Sequence, residues 1–201
     1  MVDETIVMKL RSVFGVLAIG AIALTACDLV QVEQTYSNAV YVTGDSITWL
    51  CNGQIRSALP GRDVVIDNYP GATLPMGLGW LKQQGPSVAP HIVVALGTND
   101  GVVPAPFATQ IDSVMTYVNS LPPKPSWSKP YEVYWVNVST LANPAYSAVN
   151  TAIAQAATRY GNLRVIDWKS WADANPQHLV DGVHPDATGC QVRAQMIAQA
   201  V

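Results

Sequence analysis

Five short runs of β-branched and apolar residues constrain this chain more than any other feature: Ala39 to Val42, Val64 to Ile66, Ile92 to Leu96, Val133 to Val138 and Leu163 to Ile166. None alternates strictly with polar residues, a pattern that suits strands covered on both faces, as in a parallel sheet. Between the runs the apolar spacing turns helical. Ile47, Leu50, Cys51, Ile55 and Leu59 mark a first helix, and Phe107, Ile111, Val114, Met115, Val118 and Leu121 mark another. Asn143-Pro144 reads as a cap with proline at the first helical position, opening a helix from Ala145 to Tyr160 that Gly161 closes. A last helix, about Asp186 to Val201, carries Val192, Met196 and Ile197 on one face. Strands alternating with helices predict a three-layer α/β/α sandwich around a parallel five-stranded sheet, with right-handed crossovers. Ligands in such sheets bind beyond the carboxyl ends of the strands.

One domain accounts for the chain. At 201 residues it supports a full hydrophobic core, and no repeat or shift in composition divides it. The Pro-rich stretch Leu121 to Pro130 reads as a stiff loop between two elements. Charged residues make up 12% of the chain and the net charge is -3, so the basic footprint of a nucleic-acid partner is missing.

The N-terminus reads as a processed segment. Lys9 and Arg11 precede an uncharged apolar run, Ser12 to Ala26, which has the charge, length and small residues of a secretory signal. Met8 is an alternative start, because residues 1–7 add two acids to what should be a basic region. The run ends in Leu24-Thr-Ala-Cys27, which resembles the lipobox of bacterial lipoproteins. That resemblance implies acylation of Cys27 and a membrane anchor at the extracytoplasmic face of a bacterial envelope. The expected organisation is a signal peptide over 1–26, a short tether over 27–38 and a domain over 39–201. With Cys27 lipidated, Cys51 and Cys190 remain. They form either a disulfide, which export permits, or two separate buried thiols.

Four segments at the ends of the predicted strands carry the polar chemistry. Gly44-Asp-Ser46 follows the first strand; a serine at the first residue of a helix has a free N–H and the positive end of the helix dipole behind it. It is equally a plain capping residue. Asn68-Tyr-Pro-Gly71 follows the second, and Gly71 either offers an unobstructed N–H or makes an ordinary tight turn. Gly97-Thr-Asn-Asp100 follows the third, where the Asn99 amide suits a developing negative charge and Asn-Asp-Gly also suits a turn. Asp181-Gly-Val-His184 precedes the last helix, with a carboxylate three residues from an imidazole. Asp45 and Asp100 read as turn braces, Asp167 and Asp173 as less well placed acids than Asp181. His91 and His178 lack neighbours at metal-ligand spacing, so no metal is expected. Trp49, one turn after Ser46, is the aromatic closest to this chemistry.

In their order and spacing these four segments resemble the blocks of the SGNH/GDSL hydrolase family, and the resemblance runs from about Ala39 to the C-terminus. It implies a flavodoxin-like fold and hydrolysis of carboxylic esters, acyl or O-acetyl, through an acyl-enzyme, without cofactor or metal. Carried over by position, Ser46 is the nucleophile, His184 the general base and Asp181 its orienting acid. The Ser46 and Gly71 N–H groups and the Asn99 side chain form the oxyanion hole, and Gly189 fits the glycine that follows the last block. Leu50 stands where close relatives often have glycine. The expected partners are a small-molecule, lipid or glycan ester and, through Cys27, a membrane; the expected state is a monomer. The competing reading is a non-catalytic envelope lipoprotein that binds a ligand in the same cleft, against which the intact Ser46, Asp181 and His184 argue.

Overall fold

The computed structural model describes residues 38–201 apart from 125, 126 and 128. The signal segment over 1–26, the proposed lipid site at Cys27 and all but the last residue of the 27–38 tether lie outside the described residues. Five parallel strands, β1 Val40–Gly44, β2 Val64–Asn68, β3 His91–Ala95, β4 Glu132–Val136 and β5 Leu163–Ile166, form one sheet in the order β2-β1-β3-β4-β5. The register pairs Val40 with Val64 on one side and His91 on the other, and Val133 of β4 with Leu163 of β5. The central strands β1 and β3 are buried at every residue. That is why their sequences run apolar rather than alternating: both faces meet helices.

Helices α1 Ser46–Leu50, α2 Asn52–Ala58, α3 Leu74–Gln84, α4 Pro104–Ser120, α5 Tyr146–Arg159, α6 Trp168–Ala174 and α7 Ala187–Ala200 cover the sheet. Two apolar layers result. Tyr41, Ile92, Val94, Val133 and Trp135 pack with Leu81 of α3, Ile111 and Met115 of α4 and Ile153 of α5. On the opposite face Val42, Val93, Tyr134 and Val136 pack with Ile47, Ile55, Trp168, Ala194 and Ile197 from α1, α2, α6 and α7. The three-layer sandwich read from the alternation of runs is therefore the observed architecture. Among the described residues no helix is long and apolar enough to cross a membrane.

Three local readings need correction. The first predicted helix is two, because Cys51 ends α1 with φ -91° and ψ 6° and then begins α2. Leu50, assigned to the buried stripe, consequently points outward and is 45% exposed. The helix opened by Asn143-Pro144 begins at Tyr146; the Asn143 carboxamide oxygen accepts the Ala145 N–H at 3.0 Å across a preceding turn. On the last helix the buried face is Gly189, Cys190, Arg193, Ala194 and Ile197, while Val192 is only half-buried. A charged residue at the centre of that stripe hid its true phase.

Cys51 and Cys190 are joined in a disulfide, with Cα atoms 4.9 Å apart. The bridge ties the end of α1 to the first turn of α7 and spans 139 residues of sequence. Of the two readings of this pair, the bridged one holds.

Candidate active site

The strand order reverses at β1. From it the chain goes to β2 on one side, then crosses to β3, β4 and β5 on the other. Such a switch point leaves a crevice at the carboxyl ends of the two central strands. Gly44-Asp-Ser46 leaves β1 and Gly97-Thr-Asn99 leaves β3 at that point. The loop after β2 brings Gly71 to the same edge, and the segment before α7 brings Asp181 and His184.

Ser46 is the first residue of α1, and the cap belongs to its neighbour. The Asp45 carboxylate accepts the Ile47 N–H at 3.0 Å, which leaves the Ser46 hydroxyl uncommitted to the helix. It lies 2.8 Å from His184 Nε2. On the other side of the ring, Nδ1 lies 2.7 Å from Asp181 Oδ2, while Asp181 Oδ1 accepts the backbone N–H groups of His184 at 2.8 Å and Val183 at 3.0 Å. The backbone N–H and imidazole of His184, then the Val183 N–H, hold the Asp181 carboxyl well down, to about 2. It is thus a carboxylate across the physiological range, fixed to accept a proton-bearing Nδ1 and to leave Nε2 as acceptor for the serine hydroxyl.

The Ser46 N–H occupies a position without an intrahelical acceptor. Gly71 adopts φ +81°, a conformation that side chains resist, in an exposed turn where an added Cβ would meet nothing. The constraint is backbone conformation rather than space. At Gly44 the reverse holds: an added Cβ would fall on the Thr48 side chain, one turn into α1. Asn99 Nδ2 donates to the Ala72 carbonyl at 3.1 Å and to Asp45 Oδ2 at 3.4 Å. The longer of these is the weaker, and is the one a stronger acceptor in the crevice would displace.

The two acids read as braces do brace. Asp100 Oδ1 accepts the Leu74 N–H at 2.7 Å, joining the loop after β3 to the start of α3. Burial pushes its carboxyl up, the Leu74 bond opposes this, and the charge of Asp45 adds to the rise. Asp45 is also pushed up by burial, against the pull of Arg193, the Ile47 N–H and the Thr98 side chain. Asp167 caps α6 through Ser170 N at 3.2 Å and accepts from Asn137 at 2.8 Å. Asp173 is buried enough to be pushed up, but the Ser139 and Thr140 hydroxyls and Lys169 outweigh this and bring it to about 2. Both acids are engaged away from His184. His91 lies against Tyr134 and Glu132, and His178 against Asp186; no metal-binding cluster occurs among the described residues.

Sequence reasoning missed Arg193. It is 3% exposed and lies beside this site, with burial lowering its guanidinium to about 10 against the opposing pull of Asp45. The signal was the spacing 190, 193, 194, 197, an i, i+3, i+4, i+7 stripe with arginine inside it.

No protein-family model matches the chain, and no curated protein matches it. Solved structures do. A GDSL-like lipase from Bacteroides thetaiotaomicron superposes with a TM-score of 0.65 at 16% identity, over 82% of this chain and 87% of its own. The C-terminal catalytic domain of peptidoglycan O-acetyltransferase A from Streptococcus pneumoniae gives 0.61 at 18% identity, over 81% and 89%. A carbohydrate acetylesterase family member from Sinorhizobium meliloti gives 0.57 at 16% identity, over 81% and 96%. The chain thus has the fold of these acyl-processing proteins, across nearly all of their length.

Proposed function

We propose that the chain is an SGNH/GDSL-type serine hydrolase that cleaves carboxylic esters through an acyl-enzyme on Ser46. The observation that carries this reading is the unbroken line from Ser46 Oγ to His184 Nε2 at 2.8 Å and from His184 Nδ1 to Asp181 at 2.7 Å. Ser46 Oγ attacks the ester carbonyl while His184 Nε2 takes its proton, and Asp181 stabilises the resulting imidazolium. The oxyanion is met by the N–H groups of Ser46 and Gly71 and by the Asn99 amide, which gives up its long contact with Asp45. His184 returns the proton to the leaving alcohol, and water then repeats the sequence on the acyl-serine. An acceptor hydroxyl in place of water would make the same intermediate a transferase step, the activity in the name of the pneumococcal neighbour.

Large apolar side chains stand exposed beside each part of the site: Trp49 after Ser46, Tyr69 before Gly71, Val103 after Asn99 and Val180 before Asp181. They favour an acyl or aglycone portion with apolar surface. The purified protein is expected to hydrolyse a chromogenic acetyl or butyryl ester, and Ser46→Ala to abolish this; an alanine variant with the full rate would overturn the assignment. Profiling acyl chain length and acetylated glycans then defines the substrate.

We further propose export and lipid anchoring through Cys27, supported by the Leu24-Thr-Ala-Cys27 sequence. Cys27→Ser is expected to release the protein from membranes, and continued membrane association would count against the anchor.

A further inference from the structure

Strand direction sorts the cations of this chain. All five strands run the same way, so each crossover helix carries the chain back from the crevice to the amino edge of the sheet, where the strands begin. Arg56, Lys82 and Arg159 stand in the last turns of α2, α3 and α5. Arg62, Lys124 and Lys129 lie in the segments that lead into β2 and β4, and Arg164 is the second residue of β5. Of the described lysines and arginines only Lys169 and Arg193 lie elsewhere, the first paired with Asp173 at 2.9 Å and the second buried. The acids near the amino edge are Asp63, Glu132 and Asp112, the last paired with Arg159 at 2.6 Å. The carboxyl edge carries Asp167, Asp173, Asp181 and Asp186, each held below the ordinary carboxylate range. A chain of net charge -3 is therefore positive at one edge and negative at the other.

Part of this sorting needs no partner. Cations in the last turn of a helix answer the negative end of its dipole. Lys124 is nearly buried and donates to the Pro86 carbonyl at 2.7 Å, and Arg62 donates to the Asn38 and Val201 carbonyls, each at 2.7 Å. Lys129 and Arg164 have no such role. Both are exposed; Lys129 lies 5.7 Å from the centre of the Trp127 ring, and Arg164 makes no hydrogen bond or ion pair among the described residues. Both line an open groove of about 470 Å³ across the amino ends of β4 and β5, together with Asn119, Pro130, Gly161 and Asn162. Glu132 lines it too, but its carboxylate accepts the Tyr134 hydroxyl at 2.8 Å and lies 3.4 Å from His91 Nδ1.

The chain enters the domain at the same edge. Arg62 holds the Asn38 carbonyl just before β1 begins at Val40. Residues 27–38, between the proposed lipid site and the domain, reach at most about 40 Å when fully extended, so a bilayer holding Cys27 lies within reach of the amino edge. The crevice lies at the other edge: α4, with 17 residues, runs between the two for about 25 Å. We propose that the amino edge of the sheet docks on an anionic phospholipid bilayer through Lys129 and Arg164, so that the active-site crevice opens away from the membrane. The signs agree at both edges, since anionic headgroups attract the cations of the first and repel the carboxylates of the second. The esters such a domain reaches are those displayed outward from the membrane, not the lipids of the bilayer it sits on. The inference rests on the anchoring reading, which sets the bilayer within reach, and its consequence for substrates rests on the hydrolase reading.

The test is amide hydrogen exchange, read by mass spectrometry, of the full chain with vesicles of equal parts phosphatidylglycerol and phosphatidylcholine or of phosphatidylcholine alone. On the anionic vesicles the segment around Gly161 and Asn162 should be protected while those around Gly71 and Gly182 are not; on phosphatidylcholine alone none should be. Salt at about 1 M, which screens charges beyond about 3 Å, should remove the protection. Lys129→Gln combined with Arg164→Gln should weaken docking about 25-fold, about fivefold for each charge, with the denaturation midpoint unchanged. Protection around Gly71 and Gly182 instead, equal protection on neutral vesicles, full protection in the double variant, or no protection anywhere would overturn the proposal. So would protection by soluble polyphosphate but not by vesicles, which would make a dissolved polyanion the ligand. The double variant keeps Cys27 and Ser46. Failure of the anchor, read as Cys27→Ser protein that stays on membranes, and failure of the hydrolase reading, read as Ser46→Ala protein with full rate, are therefore distinguishable from failure of the docking.

Discussion

His178 and His184 lie six residues apart, and each sets its Nδ1 against a carboxylate, Asp186 at 2.9 Å for the first and Asp181 at 2.7 Å for the second. Each acid also accepts backbone N–H bonds and is held below the ordinary carboxylate range by them. The two pairs part at the rest of the ring. His184 presents Nε2 to Ser46, whereas His178 lies with its ring stacked on Trp171, centroids 5.8 Å apart. Asp186 moreover caps α7 through Gly189 N at 2.8 Å. An imidazole oriented by a carboxylate is thus a structural clamp until its second nitrogen meets a nucleophile.

Substitutions can break this comparison in order of effect. Ser46→Ala and His184→Ala should each lower kcat by about 10⁴-fold or more, measured on a chromogenic ester, with the fold unchanged by circular dichroism. Asp181→Asn should come next, at about 10²- to 10⁴-fold, because the amide cannot hold the same tautomer; a loss no larger than that of Asp186→Ala would make the two pairs equivalent. Opening the Cys51–Cys190 bridge acts on stability instead, by about 5 kcal/mol in the chain-entropy account of so long a loop, read as a lower midpoint in denaturant. His178→Ala and Asp186→Ala should leave kcat within about twofold, with Asp186→Ala lowering Tm through its lost cap.

Acidity sharpens the same contrast. The Asp181 carboxyl is lowered to about 2 in the folded protein. Its bonds therefore persist above the ordinary carboxylate range of about 4 and are lost only as pH falls through about 2. Any loss of rate in mild acid should consequently not come from loss of the Asp181 contact. NMR of the His184 Nδ1 proton should show the carboxylate contact surviving where activity has gone.

Much of this was legible in the residues. The five apolar runs became the five strands, because a strand buried on both faces needs no polar positions. Asp181 and His184 are three residues apart, so one turn suffices to join them. Leu50 and Arg193 were not legible. The break at Cys51 depends on how α1 and α2 settle on the sheet, and periodicity alone does not report it. Arg193 sits inside an apolar stripe, where a charge contradicts the pattern that identifies the stripe; its place over the Trp168 ring, from another helix, is visible only in the folded chain.

By itself the sequence determined the layers, the parallel sheet, the strand ends that carry Ser46, Gly71 and Asn99, and the turn before the last helix that carries Asp181 and His184, because period and punctuation are local properties of the chain. Tertiary structure alone decided that Ser46 meets His184 across 138 residues, that Asp45 takes the cap and frees the serine, and that Arg193 lies over the Trp168 ring. Those are pairings between distant segments, set by the strand order and the disulfide, and no local pattern encodes which partners a folded chain brings together.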